Sequence, residues 1–231
     1  MGGWIVLRLR RIFLVFFCLC LFAVPARGET AEKYVALTFD DGPSGRFTRK
    51  LLDGLEERDV KATFLLCGYR IRSNPALTGR IYAQGHEIGY HGYTHDCMGN
   101  MCRERILQEI RDMAALLPEG CEPTFLRPPG GQMNATVRRA AEEAGLAILT
   151  WSVDPRDWAT HDAVAVEKAV LSHVRDGDVI LLHDMSDSSV EAALVIVDTL
   201  REQGYTFLTA SQLAALRGTE PEPGVVYSRF P

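Results

Sequence analysis

From Tyr34 onward the sequence alternates short apolar runs with amphipathic segments, and this alternation limits the possible folds more than any other feature. Seven apolar runs are predicted to be strands: 34–39, 62–66, 87–90, 124–126, 146–151, 178–182 and 205–208. Six amphipathic segments are predicted to be helices: 47–58, 75–83, 103–117, 135–144, 163–174 and 190–203. Strands that alternate with helices in this way predict an α/β fold with a parallel sheet of about seven strands, either open or closed into a barrel.

The first residues follow a different pattern. Three arginines within residues 8–11 precede an unbroken apolar run of 13 residues, 12–24, and small residues follow it. This order is typical of a secretory signal peptide, and a helix that spans a membrane needs roughly 20 apolar residues. We therefore expect a secreted or cell-envelope protein, with an uncleaved leader that anchors it to the membrane as the alternative. The predicted segments are a signal peptide at 1–28, the main domain at 29–217 and a C-terminal tail at 218–231 that wraps the surface or lacks order.

Net charge narrows the range of partners. Without residues 1–28, 21 basic and 30 acidic side chains leave a net charge of about −9. Such a surface repels nucleic acid and strongly anionic polymers, so we expect no nucleic acid partner and membrane contact only through an uncleaved leader.

In an exported protein the four cysteines after the leader permit disulfides, and sequence does not choose among the three full pairings. A buried thiol is an equal alternative for Cys67. The four are Cys67, Cys97, Cys102 and Cys121.

Reactive side chains follow five of the predicted strands, each at the point where the strand ends. Because the carboxyl ends of parallel strands form one face of a barrel or of a doubly wound sheet, these dispersed side chains should converge there. They are Asp40 and Asp41 after the first strand, His91 and His95 after the third, Arg127 after the fourth, Asp154 and Asp157 after the fifth, and His183 after the sixth.

The two adjacent acids, Asp40 and Asp41, stand directly before the turn residues Gly42 and Pro43. Neighbouring side chains of an extended chain point to opposite sides, so one carboxylate can bind a metal while the other stays free as a base. The alternative is a plain turn in which an Asp caps the following helix.

Two histidines lie four residues apart at His91 and His95, a spacing that on one helical turn directs both imidazoles to one point. Two imidazoles and one carboxylate form a ligand set that suits zinc or another divalent transition metal. A chance surface pair is one alternative. A structural zinc site made by His95 with Cys97 and Cys102 is another.

The remaining motifs suit a hydrolytic site. Two glycines after Pro128 and Pro129 let a backbone amide approach a ligand closely. His183 ends a buried strand, where a general acid can be held rigidly, although a hydrogen-bonded structural histidine is the alternative.

Taken in order, the motifs resemble those of the polysaccharide deacetylase family, the NodB-like domain also called carbohydrate esterase family 4. The motifs are TFDDGP (38–43), HGYTH (91–95), RPPGG (127–131), DPRDW (154–158) and ILLH (180–183). The resemblance implies a deformed (β/α) barrel and a metal-dependent hydrolase that removes N-acetyl groups from amino sugars of peptidoglycan or chitin-like polymers. Alternatives are an O-deacetylase of xylan-type polysaccharide, an inactive wall-binding module, and a hydrolase of small cyclic amides.

The same resemblance implies a role for each residue of the site. The metal, expected to be zinc, falls on Asp41, His91 and His95. The catalytic base falls on Asp40 and the general acid on His183. Arg127 would pair with the base, and Asp157 would orient the acid.

Substrate contacts are implied for Gly130, whose backbone N–H would bind the oxyanion, and for Trp158 and Leu181, which would wall the acetyl pocket. Two positions depart from the family pattern. Gly92 replaces the Ser or Thr that commonly follows the first metal histidine, and metal binding is expected to survive this change. Gly130 replaces Tyr or another bulky residue, so a ring that could stack on the sugar is missing.

Overall fold

A curved parallel sheet forms the centre of the protein in the computed structural model, which describes residues 32–231. The predicted leader at 1–28 therefore lies outside the described residues. The strands are β1 Lys33–Asp40, β2 Thr63–Leu66, β3 Glu87–Tyr90, β4 Phe125–Leu126, β5 Ala147–Leu149, β6 Val179–His183, β7 Tyr205–Leu208 and β8 Val226–Tyr227. Their order is β6-β1-β2-β3-β4-β5-β8, with β7 beside the start of β1, and every pair is parallel. A further bridge joins Val153, beyond β5, to Ile180 of β6. The predicted deformed barrel of about seven parallel strands is confirmed.

Helices surround this sheet. Six of them match the predicted segments: α1 Gly45–Glu57, α3 Pro75–Ala83, α4 Arg103–Ala114, α5 Ala135–Glu143, α7 Ala163–His173 and α8 Asp187–Glu202. Three more were not predicted: α2 Gly68–Ser73, α6 Asp157–Thr160 and α9 Ala210–Leu216. Side-chain oxygens accept from free backbone N–H groups at the starts of several helices, which fixes where they begin. These caps are Asn134, Asp162, Ser186 and Thr209.

The first strand shows why the sheet is covered on both sides. All six residues from Val35 to Asp40 are buried, as is typical of a parallel strand with helices or side chains on both faces. Phe39 on β1 stacks on Phe64 of β2 with ring centroids 5.3 Å apart. Among the described residues, no helix is both long enough and apolar enough to cross a membrane.

The segment predicted as a surface-wrapping or disordered tail, 218–231, forms part of the sheet. Its strand β8 pairs with β5, where the Ile148 and Thr150 N–H groups donate to the carbonyls of Val225 and Tyr227 at 2.8 and 2.7 Å. Phe230 is 1 % exposed and belongs to a second apolar cluster with residues of β5 and β6. Apart from Phe230, the segment is exposed or half-buried, and β8 and Phe230 are the two features that attach it to the sheet and the core.

The four described cysteines, which sequence left open to disulfide pairing, are free thiols. Cys67 is fully buried, in agreement with the alternative of a buried thiol. Burial raises the pKa of its thiol strongly, and burial also raises the pKa of Cys121 to about 11. Both groups are therefore protonated at neutral pH and poor nucleophiles.

Candidate active site

Three potential metal ligands meet at the carboxyl ends of β1 and β3. Oδ1 of Asp41 lies 3.3 Å from Nε2 of His91 and 3.1 Å from Nε2 of His95. One ligand atom from each residue lies within 4.8 Å of the others, and within residues 32–231 this is the one group of at least three acidic, histidine or cysteine side chains with that property. The alternative zinc site of His95 with Cys97 and Cys102 does not assemble.

The chemistry of this ligand set fits a divalent cation. Oδ1 of Asp41 is buried and accepts no hydrogen bond, a costly state unless a positive group completes the site. Burial by itself raises the pKa of Asp41, but the neighbouring imidazoles of His91 and His95 outweigh it and hold the pKa far below the usual range. The neighbouring carboxylate of Asp41 raises the pKa of His95. A cation bound by all three would supply the positive charge that this carboxylate favours.

The two histidines reach the same point by a route other than the predicted one. The sequence suggested one helical turn, but residues 91–97 form a loop, so that reasoning was wrong. His91 follows the last residue of β3, and the chain then turns back through positive φ angles at Gly92 (79°) and His95 (66°). Positive φ is costly for a residue with a side chain. The contacts around this loop must therefore hold His95 in place.

His91 has a fixed tautomer. Its Nδ1 lies 2.8 Å from the carbonyl oxygen of Arg127, and a carbonyl can only accept a hydrogen bond. Nδ1 therefore carries the proton, and the lone pair of Nε2 faces Asp41. This arrangement is the usual one for a histidine that binds a metal through Nε2.

Asp40 has a partner that Asp41 lacks, Arg127, although Oδ2 of Asp40 also lies 3.6 Å from Nε2 of His91. Asp41 has left the extended conformation at φ 72°. Oδ1 of Asp40 accepts a hydrogen bond of 2.5 Å from Nη1 of Arg127, whose side chain is fully buried. The guanidinium also donates to Thr38 and to the carbonyls of Leu149 and Thr150. Four contacts hold the arginine rigid, so Asp40 can turn only its other oxygen towards the ligand cluster.

His183 lies beside Asp40, since the two residues are register partners on β6 and β1. Its Nδ1 lies 2.8 Å from Oδ1 of Asp157, and its backbone N–H donates to Oδ2 of the same carboxylate at 2.9 Å. Burial, the largest single effect, lowers the pKa of His183, but Asp157, Asp40 and Asp41 together outweigh it and raise this pKa to about 9. At neutral pH His183 is therefore a protonated imidazole whose Nε2 is free to donate.

A pocket of about 340 Å³ joins these groups. Eight of the ten predicted site residues line it, while Arg127 and Asp157 lie directly behind Asp40 and His183. The eight are Asp40, Asp41, His91, His95, Gly130, Trp158, Leu181 and His183. A larger recess of about 470 Å³ between α4 and α5 contains none of them.

One wall of the pocket was missed at the sequence level. Trp151 lines it, with its ring against Gly131 and 5.7 Å from the guanidinium carbon of Arg127. An ideal Cβ on Gly131 would come within 2.8 Å of this ring, so glycine is needed for the ring to sit there. Gly130 has φ 63°, and an ideal Cβ there would meet nothing within 4 Å. The pocket is thus open above Gly130. Trp151 ends a predicted strand, and the rule that selected the other residues would have found it.

The sequence model described as "Polysaccharide deacetylase" matches residues 27–149 of this chain. The chain belongs to the polysaccharide deacetylase family. The family consists of hydrolases, and the predicted resemblance and enzyme class are confirmed at that level.

Individual members of the polysaccharide deacetylase family are similar over most of the chain. A peptidoglycan-N-acetylglucosamine deacetylase of Bacillus cereus is 38 % identical over 188 residues, which is 79 % of this chain and 88 % of that protein. A peptidoglycan-N-acetylmuramic acid deacetylase of Bacillus subtilis is 33 % identical over 80 % of this chain, and the chain spans only 40 % of that relative's length. A family 4 acetyl xylan esterase from Clostridium thermocellum, solved with a cobalt ion, has a TM-score of 0.80 and 36 % identity, covering 86 % of this chain and 100 % of that one.

Proposed function

We propose that this protein is a metal-dependent hydrolase that removes N-acetyl groups from amino sugars of a polysaccharide, with peptidoglycan as the first candidate and chitin-like oligomers as the second. The observation that carries the proposal is one pocket that holds a buried carboxylate, a three-ligand cluster and a histidine hydrogen-bonded to a second buried carboxylate. Binding alone needs neither a base nor an acid. An inactive wall-binding module is therefore the weaker explanation.

The predicted site residues take different parts in amide hydrolysis. A divalent cation held by Asp41, His91 and His95, with zinc as the expected ion, supplies Lewis acidity when bound. Asp40, oriented by Arg127, accepts the proton of the attacking water. The backbone N–H of Gly130 stabilises the oxyanion of the tetrahedral adduct, and donors of this kind contribute roughly 3 kcal/mol each. His183 donates its Nε2 proton to the departing nitrogen, because an amine anion is a very poor leaving group.

The choice of an N-acetyl sugar is supported by the relatives that act on peptidoglycan and by the acid at His183. The similar acetyl xylan esterase makes xylan the main rival substrate. Trp158, which is 52 % exposed, and the buried Leu181 offer the apolar walls for an acetyl methyl group.

The decisive experiment is product analysis by mass. Purified protein with one equivalent of Zn²⁺ is incubated separately with peptidoglycan fragments, chitin oligomers and acetylated xylan. We expect the loss of one acetyl group per modified sugar from the amino-sugar substrates, and no loss after treatment with a chelator. Acetate released from xylan alone would show that the N-acetyl assignment is wrong.

We predict that Asp157→Asn moves the alkaline limb of the pH–rate profile to lower pH. Asp157, with smaller contributions from Asp40 and Asp41, raises the pKa of His183 to about 9 against burial, so the wild-type acid stays protonated up to about that pH. Without the Asp157 carboxylate the largest effect that opposes burial is lost, and the pKa of His183 falls. Deacetylation at pH 8 should drop while activity at pH 6 is largely retained, and rates measured across pH 5–10 at equal metal content test this. An unmoved alkaline limb would contradict the role of His183 as acid.

Because the proposed substrate is a wall or extracellular polymer, we also propose that the enzyme acts outside the cytoplasm. The leader pattern of residues 1–28 supports secretion or a position in the cell envelope.

A further inference from the structure

The loop that carries His91 and His95 is clamped from two helices. Helix α2 holds it by two backbone bonds, from the N–H of Gly68 to the carbonyl of Gly92 at 3.1 Å and from that of Tyr69 to the carbonyl of Tyr93 at 2.9 Å. Helix α4 holds it by one side chain: Oε2 of Glu109 accepts the N–H of Tyr93 at 2.9 Å.

The two histidines depend on this clamp to different degrees. His91 is 2 % exposed, and its ring is fixed by the carbonyl of Arg127. The side chain of His95 is 44 % exposed, and within residues 32–231 its Nδ1 forms no comparable bond. The position of His95 therefore rests on the backbone of a loop that holds it at a positive φ. The bond from Glu109 acts on that backbone two residues before His95.

Glu109 is an unusual residue for a structural helix face. It is 1 % exposed on α4, and its Oε1 accepts no well-formed hydrogen bond, with only Nη2 of Arg105 nearby at 3.1 Å. A buried carboxyl group with so few partners costs free energy. An apolar residue would fill the same space without that cost. An apolar residue would lose the ion pair with the half-exposed Arg105 and the bond to the Tyr93 amide, and of these two only the bond reaches the loop.

We infer that Glu109 is a positioning residue of the metal site, which holds the 92–94 backbone so that His95 completes the ligand set with Asp41 and His91. This inference rests on the metal site of the proposed function. Outer groups that orient ligands typically change metal affinity by about 10–100-fold when removed. Because Glu109 acts through the backbone on one of three ligands, we expect the lower end of that range.

The test measures metal affinity rather than activity. Zn²⁺ dissociation constants are obtained by competition with a chelating dye for the wild type, Glu109→Ala and Glu109→Gln, and the thermal midpoint of each metal-free protein is recorded. We expect Glu109→Ala to bind Zn²⁺ about tenfold more weakly. Glu109→Gln should stay close to the wild type, because its amide oxygen still accepts the Tyr93 N–H.

Two matched controls on the same helix separate positioning from general destabilisation. Ile110→Ala removes a buried apolar side chain that faces the recess between α4 and α5, and should lower the thermal midpoint without weakening Zn²⁺ binding. Arg105→Ala removes the ion-pair partner of Glu109 and should leave the affinity unchanged.

The outcomes are distinct. The inference is overturned if Glu109→Ala weakens Zn²⁺ binding no more than Ile110→Ala does, or if Glu109→Gln weakens it as much as Glu109→Ala. A wild-type protein that does not bind Zn²⁺ or Co²⁺ would instead overturn the metal site itself, and this inference with it.

Discussion

Replacing Asp40 with Asn is expected to lower the rate of deacetylation by roughly 10²–10⁴-fold while Zn²⁺ binding stays near that of the wild type. The substitution preserves shape, and the amide oxygen can still accept the bond from Nη1 of Arg127. The amide has no useful basicity, so it cannot take the proton of the attacking water. Acetate release from chitin oligomers and metal content per chain, measured on the same preparation, give the two numbers.

The neighbouring substitution Asp41→Asn is the matched control. The structure assigns the orphaned buried oxygen and the contacts with both histidines to Asp41, so this variant should lose metal as well as activity. Undiminished acetate release from Asp40→Asn would remove Asp40 from the base role. Equal metal loss in both variants would show that the roles of base and metal ligand are not separated between Asp40 and Asp41.

Loss of the general acid should affect amides far more than esters. We expect His183→Gln to slow the hydrolysis of an N-acetyl sugar by roughly 10²–10⁴-fold. Hydrolysis of an activated acetate ester should slow much less. The departing nitrogen needs a proton, whereas an aryl oxide leaves as a stable anion. The ratio of kcat/KM values for a chitin oligomer and an aryl acetate, measured at one pH, tests this difference.

Asp40→Asn serves as the comparison in this experiment. Hydrolysis of both substrates needs a base that activates water, so loss of Asp40 should lower the two kcat/KM values by similar factors. If His183→Gln slowed the amide and the ester equally, His183 would have a structural role, which is the alternative that the sequence left open.

The sequence predicted the position of the site because its argument used only strand ends. Asp40, His91, Arg127 and His183 each stand at or next to the carboxyl end of a strand, and parallel pairing alone brings such residues to one face. No knowledge of loops was needed for that step. Because neighbouring side chains of an extended chain point to opposite sides, the adjacency of Asp40 and Asp41 was enough to expect different roles for the two acids.

The prediction from sequence was wrong where tertiary contacts determine the backbone conformation. His91 and His95 were assigned to a helical turn from their spacing alone. The actual loop has positive φ at Gly92 and His95, and it is held by hydrogen bonds from α2 and α4. Partners of this kind lie far away in the chain. No local pattern predicts them.

Some features that were not predicted do have a signal in the sequence. Helix α9 begins with a reciprocal capping box between Thr209 and Gln212, a four-residue pattern that is readable in sequence. Trp151 is the last residue of a predicted strand, so the strand-end rule that selected the other residues also applies to it. The strand at Val226–Tyr227 is two residues long, too short for alternation to be recognised, and its partner β5 was the only guide to it.

The pairing of β8 with β5 also bears on how the chain folds while it is being made. β5 gains its outer neighbour only from residues 225–227, long after the strands between β1 and β5 have appeared. Until then β5 presents unpaired backbone groups, the kind of edge to which another chain adds a strand. A nascent or truncated chain that ends before Val225 should therefore be the form that self-associates, because β8 is the strand that covers this edge of β5.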